Sequence, residues 1–80
     1  MNEYRSLCAL REGESALVTE VHAPSAMRRR LFDIGLIPGT RVTCTGRSPA
    51  GDPAAYLIRG AVIALRRADA AGVGLGRAAV

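Results

Sequence analysis

One histidine, two cysteines and a scatter of single carboxylates are the residues of this 80-residue chain that could carry out chemistry. A bound metal would need several of them at ligand spacing, such as CxxC or HxxxH, so that one stretch of backbone offers two donors to one ion. His22, Glu20, Cys8, Cys44 and Asp52 are ligand types, and none has such a neighbour. Cys44 alternates with Val42, which makes it a small core residue on a strand face. His22 reads as a solvent-facing residue at a strand end. Catalysis is no better served. His22 lacks a Ser or Cys partner in a recognisable motif, and Gly72-Val73-Gly74-Leu75-Gly76 lacks the Lys and the following helix of a phosphate-binding P-loop. The expectation is no enzyme, no metal site and no cofactor.

The densest chemical feature is Arg28-Arg29-Arg30. All eleven cations are Arg, none is Lys, and the net charge is +4. A G+C-biased genome produces that composition, and a positive balance also favours an acidic partner. At ~100° per residue on a helix, three consecutive arginines spread over a wide arc. They form either a solvated face or an electrostatic contact. Phe32, the single Phe, lies between Arg28 and Arg29 around the helix and away from the apolar stripe. Either 36–38 or Tyr56 folds over it, or it is an exposed anchor, joined by Leu36, with the arginines steering an acidic surface. Aromatic and Arg residues are the usual binding hot spots. Nucleic acid fits less well: there is no helix-turn-helix pattern, and Tyr4, Phe32 and Tyr56 are too dispersed to stack bases.

The elements that must position these residues follow from period and punctuation. Ser25 is a good N-cap, because its hydroxyl can accept from an orphan amide. Met27, Leu31 and Ile34 recur on one face of a helix over about 25–34. Gly35 stops it with a positive φ. Pro38-Gly39 suits a type II turn, again with positive φ at the glycine. The period then becomes two, with Val42 and Cys44 on one side and Arg41, Thr43 and Thr45 on the other. A first strand over 15–21 has Leu17 and Val21 on one face and Val18 on the other, which predicts a bulge or burial on both sides. Two prolines and two glycines make 46–53 a long loop. Strands follow over 54–58, 61–66 and 73–75, with helical turns near 6–10 and 67–71. The ordered part is about 6–76, with loose ends at 1–5 and 76–80. Val42, Leu57, Ile63 and Leu65 are expected in one core, with Leu31 covering an end. Five short strands in one domain suggest a small barrel whose closure removes exposed edges. The opening residues carry no leader pattern, so none is expected, and no apolar run approaches ~20 residues. The expected location is the cytoplasm, with reduced thiols.

One ordered set of residues carries a resemblance. Arg30-Leu31-Phe32-Asp33-Ile34-Gly35-Leu36-Ile37-Pro38-Gly39 resembles the RLxxLGLxPG signature of the FeoA family. Gly51-Asp52-Pro53, Gly60 and Ile63-Ala64-Leu65-Arg66-Arg67 continue the likeness from about Leu7 to Leu75. The resemblance implies a mainly β, five-stranded SH3-like barrel with one short helix between its first and second strands. It implies a non-enzymatic adaptor that docks on the cytosolic part of FeoB, the membrane GTPase of ferrous-iron uptake. The candidate partner-binding set is Arg28, Arg29, Leu31, Phe32, Leu36 and Asp52. The alternative is a relative of the SH3-like module of DtxR-type repressors, acting in metal-dependent regulation, since a shared barrel does not fix function.

Overall fold

The computed structural model describes residues 5–76. The element order is β1 (Arg5–Ser6), a 3₁₀ turn (Leu7–Ala9), β2 (Ser15–Val21), α1 (Ser25–Asp33), β3 (Arg41–Arg47), β4 (Ala54–Ile58), β5 (Ala61–Leu65), α2 (Arg67–Ala70) and β6 (Val73–Gly76). The strands form one antiparallel sheet in the order β1-β6-β2-β3-β4-β5. This is the SH3-like class anticipated, with one strand more: Arg5, expected in a loose end, pairs with Leu75. The expectations for 1–4 and 77–80 lie outside the described residues. Closure does not remove both edges, because among the described residues β5 pairs only with β4.

α1 starts one residue earlier than a Ser25 cap requires. Pro24 is the N-cap, its carbonyl accepts from the Arg28 N–H at 2.8 Å, and no side chain caps the end. At the other end Gly35, at φ 104, lets the chain reverse. The Gly35 N–H donates to the Phe32 carbonyl and the Leu36 N–H to the Leu31 carbonyl, both at 2.9 Å. This paired 5→2 and 6→1 pattern is a Schellman motif, which folds the second residue past the helix back onto its last turn. Leu36 is therefore core, with no exposed surface, and is not the partner contact expected of it. Pro38-Gly39 forms the anticipated turn, with the Thr40 N–H on the Ile37 carbonyl at 3.0 Å and Gly39 at φ 96.

Two bulges shape the sheet. The register of β2 against β6 shifts between Val18 and Glu20, so Ala16, Val18 and then Val21 face inward. Leu17 therefore does not share a face with Val21. The second shift lies in β3 between Cys44 and Gly46. Val42 and Cys44 face the core opposite Ile58 and Tyr56, and one extra residue, Thr45, brings Arg47 opposite the buried Ala54. Cross-strand partners share a face, so the bulge turns Arg47 inward. Its guanidinium donates to the carbonyls of Cys8 at 3.0 Å, Gly51 at 3.3 Å and Leu10, joining the 3₁₀ segment to the β3–β4 loop. The Tyr56 hydroxyl donates to the Leu7 carbonyl at 3.3 Å. Of the expected core set, Val42 and Leu31 are buried, and Ile63 and Leu65 are half-buried against the core. Leu57 is 39% exposed on the outer face, because Tyr56 and Ile58 on either side hold the inward register.

Candidate protein-interaction site

The helix presents its arginines as the periodicity requires. Leu31 is buried, Met27 and Ile34 are half-buried, and Arg28, Arg29 and Arg30 are exposed. Phe32 takes a position between the two alternatives: it is half-buried against the core margin, and the Arg28 guanidinium sits 5.4 Å from its ring centroid. A cation over an aromatic face is attracted by the ring quadrupole, by about 0.5–1 kcal/mol at an exposed site. Arg28 is thereby held on the surface near the exposed rim of Phe32.

Between α1 and β5 lies a cleft of about 110 Å³. Met27, Arg30, Leu31 and Ile34 form its helical wall, Ile63, Ala64 and Leu65 its strand wall, and Asp69 of α2 completes the lining. Apolar side chains share the lining with a cation and a carboxylate, the mixture expected of a small recognition pocket. Leu31 contributes only its 2% exposed surface, so its expected contact with a partner shrinks to the lining of this cleft. Asp52 is exposed, but its Oδ1 accepts from the Arg67 N–H at 2.9 Å. It satisfies an orphan donor of α2's first turn and so steadies the element that carries Asp69.

Among the described residues, Arg5 forms an ion pair with Glu14 at 2.9 Å, and the His22 Nε2 lies 2.9 Å from the Glu20 Oε1. Arg28, Arg29, Arg30, Arg59, Arg66 and Arg67 have no carboxylate at that range among the described residues; Arg30 lines the cleft, and Arg59, Arg66 and Arg67 flank β5 in the chain. No group of three His, Cys, Asp or Glu residues gathers among the described residues. The Cys44 thiol is buried and points to the Gly46 carbonyl, while Cys8 is half-buried beside the Ser6 hydroxyl at 2.9 Å. No described helix is long and apolar enough to cross a membrane.

Sequence reasoning pointed to Arg28, Arg29 and Phe32 but passed over Met27, Arg30, Ile63, Ala64, Leu65 and Asp69. One signal was available: Ala61-Val62-Ile63-Ala64-Leu65 carries no polar residue on either face. An outer strand normally alternates, so this pattern marks a strand with an additional surface to cover.

Comparison with known proteins agrees with this architecture. The FeoA domain family model matches residues 5–75. A Porphyromonas gingivalis Fe(2+) transport protein A/Fe(2+) transporter FeoB fusion protein is 32% identical over 65 residues, covering 81% of this chain, which spans only 8% of that protein's length. The solution structure of FeoA from Chlorobium tepidum superposes with a TM-score of 0.86 at 36% identity, over 94% of this chain and 71% of that one. The crystal structure of a zinc-complexed Stenotrophomonas maltophilia FeoA, described as a prokaryotic SH3 domain protein, gives a TM-score of 0.80 at 30% identity, over 90% of this chain and 89% of that one. With the family match running from β1 into β6 and the same SH3-like fold beneath it, the chain belongs to the FeoA family.

Proposed function

We propose that this chain is a non-enzymatic cytoplasmic adaptor that docks on the cytosolic part of a FeoB-type membrane GTPase and modulates ferrous-iron uptake. The observation that carries this reading is the relative in which a matching segment is joined to FeoB in one polypeptide. Fusion holds two modules at high effective concentration, which favours a contact between them. The arginines of α1 supply the steering charge for such a contact, and Phe32 an aromatic anchor beside them.

The test is calorimetric titration of this protein against the cytosolic GTPase domain of the FeoB from the same organism, followed by GTP turnover with and without the adaptor. Binding that weakens with added salt, and a changed turnover in either direction, are the expected results. Arg28→Glu with Arg29→Glu should reduce affinity at least about tenfold through like-charge repulsion with an unchanged melting temperature. No association at tens of micromolar in low salt would overturn the reading.

A further inference from the structure

The β5 edge of the sheet has a defined hydrogen-bonding character. β4 and β5 are joined by Arg59 and Gly60 alone, at φ 51 and 87, the positive pair of a type I′ hairpin turn. Ile58 and Ala61 close that turn as a hydrogen-bonded pair, and the antiparallel ladder alternates from there. Ala61, Ile63 and Leu65 thus direct their N–H and C=O groups to β4. Val62 and Ala64 direct theirs away, to the side where no strand pairs among the described residues. No turn, loop or cap hydrogen bond among the described residues uses them. Val62 is 64% exposed and Ala64 is exposed as well. The cleft runs along the same edge, since three successive residues, Ile63 to Leu65, line it and successive strand side chains point to opposite faces.

Charge decides what this edge accepts. A second copy, pairing antiparallel about Ile63, would set Arg59 of one protomer beside Arg66 and Arg67 of the other at both ends. These cations have no carboxylate partners among the described residues, so self-pairing is repelled. Charged residues that blunt an edge in this way are a common guard against association. The same arginines, with Arg30 in the cleft, attract the opposite charge.

We propose that β5 is a docking edge for an extended acidic segment of the partner. The segment adds as a strand on the Val62 and Ala64 backbone groups, places an apolar side chain in the α1–β5 cleft, and sets carboxylates against Arg30, Arg59, Arg66 and Arg67. Main-chain hydrogen bonds supply affinity and alternate side chains supply specificity in this mode of recognition. The inference rests on the partner reading above and names the chemistry and site of the contact.

The test uses a blocked Glu-Val-Glu-Val-Glu-Val-Glu peptide and its lysine counterpart, with amide hydrogen exchange of the protein read by NMR. The acidic peptide should slow exchange at Val62 and Ala64 by about tenfold or more at saturation, and the lysine peptide should not. Val62→Pro removes an outward N–H without touching the β4 ladder, and it should lower affinity at least about tenfold with the other amides of the sheet still protected. Unchanged exchange at Val62 and Ala64 in the wild-type protein, or equal protection by both peptides, would overturn the proposal. So would protection of those two amides by rising protein concentration alone, which would assign the edge to a second copy. Titration with the FeoB cytosolic domain separates the two readings. Wild-type binding that Val62→Pro leaves intact overturns the edge and retains the partner, whereas peptide binding without FeoB binding does the reverse.

Discussion

The aliphatic arm of Arg59 lies across the backbone of Gly35, so closely that a Cβ at residue 35 would come 2.5 Å from Arg59 Cδ and 3.2 Å from Ile58 Cγ2. The contact ties the end of α1 to the β4–β5 turn, joining the two walls of the cleft. It also brings a cation to the helix C-terminus, where the macrodipole favours positive charge.

Gly35 and Gly39 therefore separate two effects that look alike in sequence. Both have positive φ, but a Cβ at Gly39 meets nothing within 4 Å among the described residues. Gly39→Ala should cost about 1–2 kcal/mol from backbone conformation alone. Gly35→Ala should cost more, because it also displaces Arg59. Adding Arg59→Ala should recover part of the Gly35→Ala loss and none of the Gly39→Ala loss, as read in a denaturant double-mutant cycle. Equal losses at the two glycines would rule out the contact.

Arg47 holds three carbonyls that have no other donor among the side-chain hydrogen bonds of the described residues. Arg47→Met keeps the aliphatic stem and removes the donors, and should destabilise by about 1–3 kcal/mol. Arg47→Lys should recover only a fraction, because an ammonium cannot reproduce the planar fork. The denaturation midpoint at constant m-value measures both.

Tyr56 predicts an alkaline limit. Burial raises its phenol above the ordinary value, and the nearby Arg47 charge only partly opposes this. A raised folded-state pKa contributes stability that is complete below the unfolded value of about 10 and is lost as pH rises through the folded value. Unfolding free energy between pH 8 and 12 should fall more steeply for wild type than for Tyr56→Phe. That variant should itself lose about 1 kcal/mol at neutral pH with the bond to Leu7.

Phe32 is held partly by the core, so binding and stability respond together at this position. Phe32→Glu should lower the melting temperature and weaken FeoB-domain binding, since a charge replaces an apolar contact at the core margin. Phe32→Leu should keep the fold within about 1.5 kcal/mol and lose affinity through the missing aromatic face. Full affinity in Phe32→Leu would move the partner surface from α1 to the β5 edge.

Several features were decided by residues adjacent in the chain. The Met27, Leu31 and Ile34 stripe, the stop at Gly35 and the Pro38-Gly39 turn need only local sterics, and each appears where its residue types place it. The break in alternation at Val18 admitted a bulge or burial on both sides, of which the pairing with β6 selected the bulge, and Cys44 was visible as core from its alternation with Val42. The tertiary structure decided what depends on pairing across the sheet. Nothing local marks Thr45 as the extra residue, so the inward turn of Arg47 came only with the β4 register. Leu36 sits two residues past a helix and becomes core only because the Schellman reversal returns it to the last turn. Strand order decided that β5 is an edge and which of its peptide groups stay free, because an edge is defined by a missing neighbour and a strand's own residues do not encode which neighbour is missing.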